Sequence, residues 1–144
     1  MPRESHYRKL ENMMHAAPIV KLTEAKVKIN EGCAEIVIPV KNQFFHTGGA
    51  LHGAIYFLAL DNAAFFASNS MVEDVAVLTT SFTIYITRPV SKGEVRAFGK
   101  VVTFDHDQLI AESILYDSAG REIAKGRGVF VRSNLTLTER IGYK

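Results

Sequence analysis

A single cysteine, Cys33, in 144 residues leaves no partner for an intrachain disulfide, so the core must hold the fold and a reducing compartment is the default. Charge of one sign is scarce as well. Lys and Arg number 17 against 15 Asp and Glu, a net +2, which gives no electrostatic case for nucleic-acid binding. Long apolar runs are missing too. The opening "MPRESHYRKLENMM" has no apolar stretch of the secretion-signal kind, and the greasiest segment is interrupted by Asp61 and Asn62, so no transmembrane helix is expected. These absences lead to the expectation of one cytoplasmic domain over residues 1–144, long enough for one hydrophobic core.

Familiar catalytic motifs are absent in turn. The chain has no Gly-x-Ser-x-Gly elbow and no Walker loop, and "KGRGVF" lacks the rest of a dinucleotide fingerprint. His6, His15, His46, His52 and His106 form neither a His-Glu-x-x-His pair nor a zinc-spaced cluster, so neither a metal nor a bound cofactor is expected. Cys33 falls inside a strand-like run with no histidine nearby, which suits a small core residue better than a nucleophile.

What is present reads as α+β. Tyr7, Leu10, Met13 and Met14 make one helical stripe over residues 3–15, and Pro18 is expected to stop it. "EAKVKI" and "CAEIVIPV" alternate like strands, and the "NEG" between them signals a hairpin. Residues 41–49 read as a loop ending in Gly48 and Gly49. Residues 50–70 are apolar on nearly every side, which predicts a buried helix. Four β-type runs follow: "VAVLTTSFTIYI", "VRAFGKVVTF", "LIAESILYD" and "REIAKGRGVFVR". The connections "RPVSKGE", "DHDQ" and "SAG" are short, so antiparallel neighbours are expected. Apolar surface on such a sheet favours self-association.

The chemistry concentrates in "HTGGALHGAIYFLALDNAAFFASNS". An ionised carboxylate in a buried helix is costly unless paired, and no Lys or Arg occurs between Lys41 and Arg88 to pair with Asp61. Such a group has a raised pKa and is a candidate base or nucleophile. Each of these residues also has a plain structural reading: Gly48 and Gly49 a turn, His52 a cap, Asp61 a partner for a neighbouring strand. Helix geometry links them differently. His52 and Asp61 are nine residues apart, about 13 Å along a helix and near half a turn out of phase, and Gly53 lies about 12 Å from Asp61. One chain cannot bring both ends to one reacting carbon, but two chains can. The amides at a helix N-terminus favour anions, and a glycine there lets a substrate oxygen come close. An oxyanion hole from one copy and a carboxylate from the other suit acyl transfer to water.

"HGAIYFLALD" followed by "AAFFASNS" resembles the His-Gly-Gly…Asp helix of hotdog-fold acyl-CoA thioesterases of the phenylacetate-pathway (PaaI-like) type, and "TRPVSKGEVRAFGKVV" is similar to that family's strand, Arg-Pro turn and next strand. The resemblance spans roughly residues 20–132 and implies a hotdog fold, a long antiparallel sheet wrapped around one central helix, here with a short N-terminal helix in addition. It also implies roles. The Gly53 amide polarises the thioester carbonyl, and Asp61 of the partner copy activates water or attacks directly. A hydroxyl early in the next strand, Thr79 or its neighbour Thr80, helps hold the water, and strand alternation lets only one of the two face the site.

The sequence departs from the family pattern at Ala54, where a second glycine is usual but whose N–H is still expected to donate in the oxyanion hole, and at His46, where an Asn is usual but whose ring is still able to donate to a carbonyl or order water. Asn62 is expected at the contact between copies. Arg88, Lys92, Lys125 and Arg127 are candidates to meet the phosphates of coenzyme A, and Tyr56, Phe57 and Phe65 to meet the acyl group. The expected assembly is a homodimer, or a dimer of dimers, acting on a small-molecule acyl-CoA with no membrane partner. Two other readings stay open: a hotdog acyl-thioester hydratase or dehydratase, using a paired His and carboxylate, and a non-catalytic acyl-CoA-binding protein.

Overall fold

A computed structural model describes residues 2–105 and 107–144. The chain begins with two helices, α1 (Pro2–Ala16) and α2 (Pro18–Thr23). Pro18 does end α1, but it also occupies the first turn of α2, where a missing N–H costs nothing and a fixed φ suits the helix. Two strands follow, β1 (Lys26–Asn30) and β2 (Cys33–Pro39), joined by a tight turn with Gly32 at a φ of 69°. The central helix α3 (Gly53–Asn69) comes next, then β3 (Val75–Ile86), β4 (Glu94–Phe104), β5 (Leu109–Tyr116) and β6 (Glu122–Thr136). The hairpin anticipated at "DHDQ" is present between β4 and β5, with His106 outside the described residues.

All six strands form one antiparallel sheet in the order β1-β2-β4-β5-β6-β3, curled around α3. This is the hotdog layout. The expectation that short links join neighbours holds for β1–β2, β4–β5 and β5–β6, but fails for β3–β4. Residues 87–93 instead carry the chain from one edge of the sheet back to β2, so β3 is an edge strand bonded to β6 alone. The crossover is pinned to the sheet by Thr87 N–H donating to Ile123 O at 2.9 Å.

The inward face of the sheet is set by alternation. Val27 and Ile29, Ala34, Ile36 and Ile38, Val95 and Ala97, and Ala111 and Leu115 are all buried. The same period corrects the expectation for Cys33. It starts β2 one residue out of phase with Ala34, so it is exposed rather than a core residue. Gly99 of β4 is where α3 touches the sheet most closely. A methyl group there would lie 2.8 Å from Ala64 N and closer still to the Ala63 carbonyl, so only glycine admits the helix at this depth.

The two sheet edges are treated differently. The β1 edge is closed by α1: Ile29 N–H donates to Glu11 Oε2 at 2.7 Å and Val27 N–H donates to His15 Nε2 at 3.3 Å, with Arg8 on Ile29 O. The β3 edge has no such cover among the described residues, and it exposes Leu78, Tyr85 and Ile86. Long uncovered edges invite pairing with another chain.

Candidate active site

The expectation that α3 is buried all round is only partly met. Tyr56, Ala59, Leu60, Ala63, Ala64, Phe66 and Ala67 are buried, whereas Ala54, Phe57, Leu58, Asp61, Asn62 and Phe65 are not. The second set is spaced i, i+3, i+4, i+7, i+8, i+11, one continuous helical stripe left open by the sheet. Phe57 is 40% exposed, although its ring meets Phe82 of β3 edge-on at 5.5 Å. The carboxylate that looked misplaced in a core helix therefore sits on a half-buried face, where Leu58 and Phe65 still pack against the core.

Among the described residues Asp61 has a single polar partner. Thr79 Oγ1 donates to its Oδ1 at 3.0 Å. Burial pushes the Asp61 carboxyl above the usual carboxylate range, and the Thr79 hydrogen bond pulls it part of the way back. Thr80 points elsewhere, its hydroxyl donating to Val129 O. Strand alternation thus separates the two threonines, and it is Thr79 that meets Asp61. The ion pairs of the described residues do not involve Asp61.

The other chemically interesting end is the start of α3. A cleft of about 350 Å³ is lined there by His46, Leu51, Gly53, Tyr56, Ile86, Thr87, Arg88 and Pro89. Gly53 is the first helical residue, and its N–H meets no acceptor among the described residues. The next amide is already used: Ala54 N–H donates to His52 Nδ1 at 2.9 Å, so His52 caps the helix. His46 is likewise engaged locally, its Nδ1 accepting the Gly48 N–H at 2.9 Å. One anchor was not legible as such. Tyr56, placed by sequence among the acyl-facing aromatics, is buried, and its hydroxyl donates to Arg88 O at 2.7 Å, fixing the crossover beside Gly53.

The structure thus groups His46, Gly53 and Arg88 at one end of α3, and Asp61, Thr79 and Asn62 at its middle. The eight residues from Gly53 to Asp61 keep the two groups about 12 Å apart. Lys92 is exposed in the crossover, away from the lining of the Gly53 cleft. Arg127 and Lys125 face outward from β6, where Arg127 pairs with Glu112, so they lie on the sheet surface opposite α3. Among the described residues no cluster of three or more His, Cys, Asp or Glu could hold a metal ion. No helix there is long and apolar enough to cross a membrane.

The sequence between residues 48 and 133 matches the thioesterase superfamily. A Saccharolobus solfataricus protein named as a candidate esterase, SSO2140, is 30% identical over 114 residues, which cover 78% of this chain and 81% of that one. A Thermoplasma volcanium protein of the same description, TV1331, is 26% identical over 102 residues, 71% of this chain and 77% of that one. Among solved structures, the E. coli PaaI protein from the phenylacetic acid degradation operon superposes with a TM-score of 0.85 at 21% identity, covering 94% of this chain and 99% of PaaI.

Proposed function

The chain belongs to the thioesterase superfamily and is a thioester hydrolase, and from that premise we propose that it hydrolyses acyl-CoA thioesters in a site shared between two copies of the chain. The observation that carries this reading is Asp61 itself. It is a carboxylate with a raised pKa, no cationic partner and one orienting hydroxyl, on the open stripe of α3. A group so placed has no structural task that a less costly residue could not do.

In this reading two copies meet through the uncovered β3 edges and the α3 stripes. The start of one α3 then approaches the middle of the other. The Gly53 N–H donates to the thioester carbonyl oxygen and stabilises the negative charge that grows there. Asp61 of the partner copy takes a proton from water as the water oxygen attacks the carbonyl carbon, or attacks that carbon itself. Thr79 fixes the carboxylate by holding Oδ1 and leaves Oδ2 free. Collapse of the tetrahedral intermediate expels the CoA thiolate, which takes up the proton held by Asp61 and leaves as the thiol; where Asp61 itself attacks, water then hydrolyses the resulting mixed anhydride, supplies the thiol's proton and frees the carboxylate. Arg88, exposed beside the cleft, is placed to meet the phosphorylated end. A hydratase needs a His free to act with a carboxylate, and His52 Nδ1 here is engaged in capping its own helix.

The test is thiol release from a panel of acyl-CoAs by the wild type, Asp61→Asn and Asp61→Ala. Loss of about 10²- to 10⁴-fold in the variants is expected. A wild type inert toward every ester, or variants at full rate, rejects the reading. Mixing Asp61→Asn with Gly53→Pro, then refolding or exchanging subunits, is expected to restore roughly a quarter of the wild-type rate. Half the dimers would be hybrids, each with one intact site of two.

A further inference from the structure

Asn62, the second half of the polar pair in α3, has no hydrogen bond from its side chain among the described residues, and it opens onto a groove of about 660 Å³. Phe65, next on the same stripe, forms part of its floor. Met13 and Met14 at the end of α1 and Ile19 of α2 form one wall, and Leu135 of β6 with Ile141 near the C-terminus forms the other. Ile19 and Leu135 are 47% and 52% exposed, a cost that each wall carries while nothing lies between them.

The walls are built rather than loose. Tyr143 is joined to His6 through its hydroxyl, 2.7 Å from His6 Nδ1, and His6 Nε2 is 2.8 Å from Asn69 O at the end of α3. Asn12 donates to the Lys144 carbonyl at 2.6 Å. These contacts tie the C-terminal segment across to α1. The groove's volume lies within the range of small-molecule sites, roughly 300–1,000 Å³.

We propose that this groove is the acyl subsite and that the acyl group is a straight aliphatic chain rather than an aromatic acid. The inference rests on the thioester-hydrolase reading, because the groove begins one residue from Asp61. A thioester carbon held at Asp61 places its tail against Asn62, which forms the polar boundary between the reacting head and the apolar channel. Beyond it the lining is mostly aliphatic, aromatic or thioether, with Glu139, Arg140 and Lys144 its charged members. Methionines adapt to a flexible chain, and Met13 and Met14 lie here beside the aliphatic Ile19, Leu135 and Ile141.

The experiment is a series of saturated acyl-CoAs from acetyl to decanoyl, with benzoyl- and phenylacetyl-CoA alongside, on the wild type and on Ile19→Glu. In the wild type kcat/KM is expected to rise by roughly fourfold per methylene until the groove is filled. Ile19→Glu, at an exposed position that tolerates charge in the fold, is expected to lower the decanoyl value roughly tenfold more than the acetyl value. Sedimentation of both proteins accompanies the assay. A flat chain-length profile, or a preference for the aryl esters, overturns the groove assignment while leaving thioester hydrolysis standing. Absence of all hydrolysis overturns both. If Ile19→Glu changes the sedimenting species and keeps the chain-length ratio, the groove belongs to a second copy of the chain and the proposal fails.

Discussion

Replacing Gly53 by proline removes one hydrogen atom from the proposed site, and the local geometry says what else it does. Gly53 is the first residue of α3, the helical position where proline is best tolerated. The residue before it, His52, has φ −64° and ψ 142°, the extended conformation that a following proline demands. A side-chain carbon at Gly53 has its nearest neighbour, Ile86 Cδ1, at an ordinary 3.4 Å. The Gly53 N–H makes no bond within the described chain, so the fold loses no hydrogen bond. Stability should therefore change by no more than about 1 kcal/mol, with stiffening of the unfolded chain acting in favour. Catalysis should fall by about 10²- to 10³-fold, the measured worth of one oxyanion-hole donor, about 2.7–4 kcal/mol. Acyl-CoA hydrolysis and thermal melting on the same preparation test both halves. A Gly53→Pro protein that melts normally and keeps its kcat/KM refutes the role of this amide. One that unfolds refutes the account of the helix start.

Four further outcomes are expected. In Thr79→Val the hydrogen bond that favours the ionised Asp61 is lost and its pKa rises further, so the acid limb of kcat/KM moves to higher pH, whereas Thr79→Ser keeps the wild-type profile. Because the folded pKa is raised, Asp61 opposes folding once pH exceeds the ordinary carboxylate range, and Asp61→Asn should melt at or above the wild-type temperature at neutral pH. His52→Ala removes the cap on Ala54 N–H and should cost about 1 kcal/mol of stability, restored by His52→Ser; the rate loss should fall far short of the roughly 10²-fold that a general acid or base carries. Gly99→Ala forces α3 away from the sheet, because a methyl 2.8 Å from Ala64 N must retreat by at least 0.6 Å to reach ordinary contact at 3.4 Å. Overpacking of that kind costs about 3 kcal/mol, a fall in Tm of roughly 6–12 °C, and should break the Asp61–Thr79 bond and the activity together.

The local elements were legible because their signals are local. Alternation in β1 and β2, the Gly32 turn and the unbroken helix-forming run of α3 all express backbone preferences within a few residues. Asp61 stood out for a similar reason: no cation lies near it in the chain, so its cost could be read without coordinates. Asn69 did not stand out. It is fully buried, donates to Val72 O and Val75 O and accepts from Val77 N–H, yet an Asn at a helix end has no distinctive pattern in sequence. The turn that it organises leads into β3, the strand that the sequence wrongly set beside β4.

The sequence by itself determined most of the element types, most of the inward faces of the strands, and the half-turn phase that separates His52 from Asp61, since each follows from a period of 2 or 3.6 residues. Only the tertiary structure decided that β3 goes to the far edge, that Thr79 rather than Thr80 meets Asp61, and that α3 keeps one stripe only half-buried. Those outcomes depend on which strand lies next to which and on how closely Gly99 lets the helix approach. They arise from contacts between residues far apart in the chain, where no short-range preference reaches.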